Sequence, residues 1–275
     1  MDYLQAVILG IVEGLTEFLP VSSTGHLTIA EKLMGLPIDD PHVTAFTAVI
    51  QVGAIAAVVL YFWRDIWRIA RIWAVGLVKP EYRGRFDHRM GWFVILGTIP
   101  IGVVGFLAKD FITGPLRSLW VVAIALILWS VVMLAAERTG SQDRGENRLG
   151  VKDVIVIGLV QCFALIPGVS RSGATISAGL FRGLDRVAAT RISFFLSIPA
   201  LVGAGAFELK DAVGSGIGTG ETVVGTLVSF VVAYGSIAWL LQFVAHHSIG
   251  RFVPYRVLLG VALIVALATG AMTPT

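Results

Sequence analysis

The chain has 275 residues, of which 56% are hydrophobic and only 14% charged, and its mean hydropathy is +0.84. Because a soluble domain is about 25% charged, this composition excludes an ordinary soluble protein and indicates a single polytopic helical membrane domain over residues 1–275. The net charge of +3 is small and spread over loops, which argues against nucleic-acid binding, and the single cysteine excludes an intrachain disulfide.

The first apolar segment, Tyr3–Leu19, is interrupted by Glu13 and Glu17 and ends before a proline. A cluster of Ser, Thr and Gly residues follows, and then a second short apolar piece over Leu27–Leu36. Such pieces are too short to cross about 30 Å of hydrocarbon. We therefore predict a re-entrant helix–loop–helix hairpin over about residues 3–36.

Six further segments are long and apolar enough to span a membrane as helices. They are Val43–Trp63, Met90–Ala108, Ser118–Ala136, Ala188–Phe207, Thr222–Ala245 and Val257–Met272. Three of them follow the first hairpin. The other three follow a second interrupted segment.

The second interrupted segment, Val154–Ile166, contains Gln161 and ends at a Pro-Gly pair. The short apolar piece Ile176–Leu184 comes after it. The same argument from length predicts a second re-entrant hairpin over about residues 153–184.

The two hairpins have related sequences at a constant offset of 148 residues, since VSSTG at 21–25 corresponds to VSRSG at 169–173. A hairpin returns to its own side of the membrane, and three spans change side. The second copy must therefore be inverted relative to the first. We predict an all-α fold with an inverted-topology repeat, residues 1–137 and 150–273, in which each half is one re-entrant hairpin plus three spans.

The basic residues give an orientation through the positive-inside rule. Most of the 21 Lys and Arg residues lie in four loops, at 64–89, 138–152, 182–191 and 251–256. With these loops in the cytoplasm, the opposite side holds Lys109, Arg117 and Lys210, with Lys32 near its edge. We expect both termini and the first hairpin to open outward and the second hairpin to open to the cytoplasm.

Glu13 and Glu17 are four residues apart, so their carboxylates share one helical face. In a low-dielectric site, either one carboxylate holds a proton or a cation neutralises the pair. Ionisable groups inside the membrane are costly and usually functional. The alternative is that both glutamates only line a polar crevice.

Ser22, Ser23 and Thr24 stand where the second half-helix begins, and the unpaired backbone N–H groups there suit an anion. Simple N-capping by a serine is the alternative. Arg171 occupies the matching position in the second copy, and a guanidinium inside the membrane needs an anionic partner such as phosphate. His26 lies three residues after Ser23, within reach of a proton transfer. Together these residues indicate an outward-facing, membrane-embedded site for a lipid phosphate.

The stretches EGLTEFLPVSSTGH at 13–26 and PGVSRSGAT at 167–175 resemble the two signature motifs of the undecaprenyl-diphosphatase family. The likeness runs along nearly the whole chain, including IQVGAIAAVVLYFWR at 50–64. It implies that the chain removes the terminal phosphate from undecaprenyl diphosphate in the bacterial inner membrane. This reaction recycles the lipid carrier for peptidoglycan synthesis and confers bacitracin resistance. The resemblance also implies a divalent cation, Mg²⁺ or Ca²⁺, and a homodimer.

Carried over to this sequence, the catalytic residues are Ser23, His26, Glu17 and Arg171, and the cation ligands are Glu13 and Glu17. The residues expected to bind the substrate are Ser22, Thr24, Ser170, Ser172, Thr175 and Gln161. We expect Ser23 to attack the terminal phosphorus and form a phosphoserine, and His26 to take the serine proton or to protonate the leaving phosphate. Direct attack by metal-activated water is the alternative.

Two other classes of function are compatible with the sequence. A lipid-carrier flippase or transporter would use the same inverted-repeat architecture. A purely structural membrane anchor would leave the two glutamates and the arginine at membrane depth unexplained.

Overall fold

The structure is a computed structural model that describes residues 1–37, 40–113, 116, 118–212 and 218–274. For Pro41, Asp110, Thr113 and residues 206–212 it describes only the backbone. Arg117 and the side chain of Lys210, both used in the sequence-based orientation, lie outside what is described. In the described ranges the regular structure is helical, and an isolated β-bridge between Arg144 and Leu184 is the only strand-like pairing.

Twelve α-helices cover most of the described residues. In chain order they are α1 Tyr3–Thr16, α2 Ser23–Leu33, α3 Pro41–Tyr61, α4 Trp63–Val78, α5 Phe86–Leu107, α6 Lys109–Thr113, α7 Leu119–Thr139, α8 Val151–Gln161, α9 Arg171–Phe181, α10 Arg186–Ala212, α11 Thr219–His246 and α12 Val253–Ala268.

Six helical segments in the described ranges are long and apolar enough to cross a membrane, which confirms the prediction of an all-α polytopic membrane protein. They are His42–Tyr61, Phe86–Leu107, Leu119–Thr139, Arg186–Gly205, Thr219–His246 and Ile249–Ala268. The largest difference from the prediction is at the last span, which begins at Ile249 rather than Val257. The predicted span began only after Arg256, which was taken as a loop residue, but this arginine is fully buried inside the helical bundle.

The two short helix pairs, α1–α2 and α8–α9, have the same local structure where the second helix begins. Ser22 caps α2 by accepting from the Gly25 N–H, and Ser170 caps α9 by accepting from the Gly173 N–H. Both serines have a positive φ, 80° at Ser22 and 76° at Ser170. A non-glycine residue in such a conformation costs about 1–3 kcal/mol and persists only where its surroundings impose it.

Helix α1 approaches α11 closely through two glycines. A Cβ atom at Gly10 would lie 2.6 Å from the carbonyl oxygen of Gly225, and one at Gly14 would lie 2.7 Å from that of Ser229. Any larger side chain would separate the two helices. This packing fixes the position of α1, and therefore of Glu13 and Glu17.

Helix α7, about 31 Å long, shows how deep the two turns lie. At its start, the Leu119 N–H donates to the carbonyl of Pro274, and near its end Glu137 accepts from the Ile249 N–H. Near its middle, the hydroxyl of Ser130 accepts a bond from Arg256, which also binds the carbonyls of Leu126, one turn earlier, and of Pro20 in the α1–α2 turn. The turn therefore lies about halfway along the bundle.

Several ion pairs collect at the end of the bundle where α7 finishes. Asp153, buried at the start of α8, accepts from Arg144 at 2.7 Å and from Arg182 at 2.8 Å. Arg186 pairs with Glu137. These contacts attach the segment between α7 and α8 to the ends of α8, α9 and α10.

Candidate active site

Three of the predicted residues meet where the α1–α2 turn faces the start of α9. The Ser23 hydroxyl donates a 2.5 Å hydrogen bond to Oε2 of Glu17, and Arg171 donates a 3.0 Å hydrogen bond to Oε1 of the same carboxylate. The Glu17 and Arg171 side chains are 6% and 11% exposed. The site is thus assembled from both helix pairs, around one carboxylate that bridges a hydroxyl and a guanidinium.

Glu13 lies one helical turn before Glu17, and its carbonyl accepts the Glu17 N–H at 3.0 Å. It is wholly buried and interacts electrostatically with Arg171, so the guanidinium faces two carboxylates. The Arg171 Nε is buried and has no hydrogen-bond partner among the described residues. The site therefore keeps a cationic donor that a bound anion could use.

His26 is held by groups other than Ser23. Its Nδ1 lies 2.7 Å from the carbonyl oxygen of Ser22, and its Nε2 lies 2.6 Å from the hydroxyl of Tyr255. A carbonyl only accepts, so Nδ1 carries the proton, and in the neutral ring Nε2 accepts from Tyr255. Since Ser23 donates to Glu17, the structure places Glu17, and not His26, next to the serine proton.

Ser22 and Ser170 connect the two turns to each other. Besides capping α2, the Ser22 hydroxyl oxygen accepts the Gly168 N–H at 3.0 Å. The Ser170 hydroxyl donates to the carbonyl of Leu19 at 3.3 Å. Both serines were expected to bind substrate, but their hydroxyls are already used to cap helices and to hold the turns together.

The other residues predicted to bind substrate lie in different surroundings. Thr175 is fully buried, and its hydroxyl donates to the carbonyl of Arg171 at 2.8 Å and lies 2.6 Å from the Ser193 hydroxyl, so it supports the first turn of α9. Ser172 is buried, with its hydroxyl 3.0 Å from that of Ser170. Thr24 is exposed.

Gln161, also predicted to bind substrate, is fully buried at the end of α8. Its Nε2 lies 3.5 Å from the carbonyl of Gly97 on α5, and its Oε1 has no partner among the described residues. Within those residues no hydrogen bond joins it to Ser23, Glu17 or Arg171. The structure does not bring Gln161 into the three-residue cluster.

Arg256 was counted from the sequence as a cytoplasmic loop residue, and this assignment is wrong. Its side chain is fully buried and has no carboxylate partner among the described residues. Instead it donates to the carbonyls of Pro20 at 2.9 Å, Gly168 at 2.9 Å and Val169 at 3.2 Å, and to the Ser130 hydroxyl at 3.2 Å. One guanidinium thus holds both turns of the site.

The sequence reasoning missed Tyr255 and Arg256 because they precede an apolar run, where basic and aromatic residues commonly mark the edge of a membrane. One signal was available. Tyr255 and Arg256 follow Pro254, and proline favours the first turn of a helix, so the helix could have been started early enough to include both residues.

Comparison with known proteins identifies the family to which the chain belongs. The sequence matches the bacitracin resistance protein BacA family over residues 6–262. The chain belongs to this family.

Curated relatives of this BacA-family chain match it from end to end. A Frankia casuarinae protein named undecaprenyl-diphosphatase 3 is 58% identical, with all of both chains covered. A Streptomyces coelicolor protein named undecaprenyl-diphosphatase 1 is 60% identical over 98% of this chain and 97% of its own. A Mycolicibacterium smegmatis undecaprenyl-diphosphatase is 51% identical over 99% of each. The matched region of the BacA family contains every residue of the site described above.

Proposed function

We propose that this protein is an integral membrane phosphatase that hydrolyses undecaprenyl diphosphate to undecaprenyl phosphate and inorganic phosphate. The observation that carries the proposal is the Ser23–Glu17–Arg171 cluster, which lies halfway along a bundle of six apolar helices. A phosphate at this depth can be reached by a lipid whose chain stays in hydrocarbon. None of the three relatives named above is described as a flippase or transporter, so that alternative gains no support.

In the proposed reaction the Ser23 oxygen attacks the terminal phosphorus. A new O–P bond forms, the bond to the bridging oxygen breaks, and undecaprenyl phosphate leaves with the electron pair. The serine proton passes to Glu17, which already accepts the hydroxyl at 2.5 Å. Water then hydrolyses the phosphoserine to inorganic phosphate. Direct attack by water, with Ser23 as a ligand, is the alternative.

Arg171 has two uses in this scheme. It pairs with Glu17 through Nη2, and its Nε has no hydrogen-bond partner among the described residues. A diphosphate oxygen can accept from Nε while the pair with Glu17 is kept, because the planar fork presents donors to two acceptors. One guanidinium would thereby hold Glu17 beside Ser23 and bind the phosphate that Ser23 attacks.

His26 is proposed to act on the leaving group. Its Nδ1–H is fixed on the Ser22 carbonyl, so the proton for transfer must be exchanged at Nε2, where Tyr255 is its partner. The Tyr255 hydroxyl is at the same time donor and acceptor. His26 acts as an acid only after it takes up a second proton, at Nε2; it then gives this proton to the leaving phosphate and returns to the neutral form in which Nε2 accepts from Tyr255.

We also propose that Glu13 and Glu17 bind a divalent cation together with the substrate. Among the described residues there is no group of three or more His, Cys, Asp or Glu side chains that could hold a metal ion. Mg²⁺ is often held by one or two carboxylates plus substrate phosphates and water, and two adjacent buried carboxylates fit that pattern. A bound cation would neutralise charge on the phosphate oxygens.

The proposed topology has α1–α2 and α8–α9 as re-entrant hairpins of two inverted repeats. In support, Lys32 near the end of α2 donates to Thr273 near the chain end, whereas Arg182 after α9 pairs with Asp153 at the opposite end of the bundle. We propose that the α1–α2 end, the site and both termini face outward in the bacterial inner membrane. A homodimer is proposed from the family resemblance, and native mass spectrometry of the protein in detergent would test it.

The experiment that tests the proposed function is phosphate release from a C55 diphosphate by purified protein in detergent, where transport cannot occur. We expect turnover, its loss with a chelator and its recovery with Mg²⁺ or Ca²⁺. Glu13→Gln should raise the cation concentration that gives half-maximal activity, whereas Glu17→Gln also removes the proposed proton acceptor and should abolish turnover. Absence of phosphate release would contradict the enzyme assignment, and an unchanged cation dependence in Glu13→Gln would contradict the metal site.

A further inference from the structure

Helix α4 lies across the ends of three spanning helices. A single residue, Phe62, separates it from the end of α3. Its Asp65 accepts from Arg191 near the start of α10, at 3.2 Å. Its Arg68 pairs with Asp87 at the start of α5, at 3.1 Å. Since these partners all belong to helix ends, α4 runs along the surface of the bundle at one side of the membrane.

The contacts of α4 with α5 and α10 show where its two ends lie. The first residues of α5, Asp87 and His88, touch α4 at Arg68 and at Gly76, eight residues apart and therefore about 12 Å apart along α4. Trp73 meets Gly91 and Trp92, one to two turns into α5, so the end of α4 packs against the first turns of α5. Near its other end, Asp65 meets Arg191 in the first turns of α10. Both ends of α4 therefore lie at the same side of the bundle, which is the orientation of a helix in the membrane plane.

The exposed surface of α4 is divided into two stripes. The apolar stripe has five exposed residues at helical spacing, Trp63, Trp67, Ala70, Ala74 and Leu77. Trp67 is 66% exposed and Trp63 53%, although tryptophan is usually well buried. The basic stripe lies about 100° around the helix and consists of Arg64, Arg68 and Arg71. The third side packs on the bundle through Ile69 and Gly76.

Two arginines of the basic stripe lack acidic partners. Arg68 pairs with Asp65 and Asp87, but neither Arg64 nor Arg71 has an ion pair within the part of the chain that the structure describes. Arg64 instead lies over the ring of Trp63 at 5.6 Å. Exposed arginines beside exposed tryptophans are typical of helices that lie in the headgroup region, with the rings in the acyl boundary.

We propose that α4 is an interfacial helix whose basic stripe, with the unpaired Arg64 and Arg71 at its two ends, binds the headgroups of anionic phospholipids while the apolar stripe enters the acyl boundary. Anionic phospholipids are the expected ligands, because unpaired arginines in the headgroup region attract the negatively charged lipid phosphates. This surface is separate from the Ser23–Glu17–Arg171 cluster, so the proposal does not depend on the proposed enzyme activity.

The test compares how strongly spin-labelled phosphatidylglycerol and phosphatidylcholine associate with the whole protein in phosphatidylcholine vesicles. The motionally restricted fraction of each lipid is measured by electron paramagnetic resonance. We expect a preference for phosphatidylglycerol that falls at least about threefold in the double variant Arg64→Gln/Arg71→Gln. The matched control, Arg138→Gln/Arg251→Gln, removes two exposed arginines away from α4 and should keep the preference.

A second measurement tests the depth of α4. A spin label at Ala70→Cys, in a Cys162→Ser background, should be accessible to oxygen and shielded from a water-soluble nickel chelate. A label at Gly84→Cys, where a side chain meets no neighbour within 4 Å, is the aqueous reference. Equal nickel accessibility at both sites would overturn the proposal and leave the stripe as a surface for a protein partner. An unchanged lipid preference in the α4 variant, or an equal loss in the control, would also overturn it.

Discussion

The Nε2 of His26 and the hydroxyl of Tyr255 lie 2.6 Å apart, although 229 residues separate them in the chain. The two rings are offset with an angle of 17° between their planes. Together with the bond from Nδ1 to the Ser22 carbonyl, this contact fixes the orientation of the imidazole from both sides. Tyr255 is therefore a positioning residue for a side chain that the proposed reaction uses.

We predict that Tyr255→Phe lowers kcat about fivefold, which corresponds to the loss of one hydrogen bond of about 1 kcal/mol. The ring is kept, so the packing of α12 should not change. Imidazole ¹⁵N chemical shifts of His26 should also change, because Nε2 loses its donor and the two tautomers become more equally populated. Kinetics and NMR on the same preparation measure both effects.

Tyr234→Phe is the control for this change. Tyr234 packs edge-on against Tyr61, so the variant removes a tyrosine hydroxyl without touching His26. It should leave both kcat and the His26 shifts as they are. A Tyr255→Phe enzyme with unaltered His26 shifts would mean that the Ser22 carbonyl alone positions the ring.

We predict that Ser23→Ala lowers kcat by at least about a hundredfold, because the attacking oxygen is lost. Folding should be nearly unaffected, since Glu17 keeps its bond to Arg171 and only one hydrogen bond of about 1 kcal/mol disappears. Phosphate release and thermal unfolding in detergent check the two parts. Retention of more than about a tenth of wild-type kcat, a difference of about 1.4 kcal/mol, would favour direct attack by water.

We predict that Arg171→Lys is severely impaired in kcat, although it conserves the charge. Lysine lacks the planar fork that serves a carboxylate and a phosphate at once. The loss should exceed about tenfold in kcat/KM. Arg251→Lys, at an exposed site, is the control and should behave as wild type. Near-normal kinetics in Arg171→Lys would show that position 171 supplies only bulk positive charge.

We predict that Arg256→Lys lowers both stability and kcat. The variant loses bonds to the carbonyls of Pro20, Gly168 and Val169, and each buried carbonyl left without a donor costs about 1–3 kcal/mol. The apparent Tm should fall by several degrees, whereas Arg251→Lys should leave it unchanged. An Arg256→Lys protein as stable and active as wild type would mean that the two turns hold their positions without the hydrogen bonds from Arg256.

The three-residue cluster could be predicted from the sequence because the repeat carries the information. Residues 21–25 and 169–173 align at one offset, which makes Arg171 and Ser23 equivalent positions of the sequence repeat, and the structure joins both to Glu17. The break between the short helices was also evident from the prolines. Both features depend on local sequence and on a symmetry that the chain itself displays.

The partners of His26 and Arg256 could not be predicted in the same way. The burial of Arg256 depends on carbonyl groups from residues 20, 126, 168 and 169, and a carbonyl is present in every residue, so no side-chain pattern marks them. The positive-inside rule counts charges without regard to depth and therefore placed this arginine in a loop. For the serines, the motif showed which residues are polar but not which hydroxyls cap helices.

The last prediction concerns topology and is tested with cysteines at exposed positions. Single cysteines are introduced by Gly84→Cys, Asn147→Cys and Ala271→Cys in a Cys162→Ser background, all at exposed sites. Intact cells receive a membrane-impermeant thiol reagent. We expect Ala271→Cys to be labelled from outside, and Gly84→Cys and Asn147→Cys to be labelled only after permeabilisation.

The pattern discriminates because α5 and α7 separate residue 84 from residue 147, and α10, α11 and α12 separate the α8–α9 pair from residue 271. If α8–α9 returns to its own side, residue 271 lies opposite residue 147. If α8–α9 instead crosses the membrane as one broken span, residues 147 and 271 are labelled from the same side, and the inverted repeat is wrong. If the whole pattern is reversed, the repeat stands but the cluster at Ser23 opens to the cytoplasm, and the substrate must reach it from the inner leaflet.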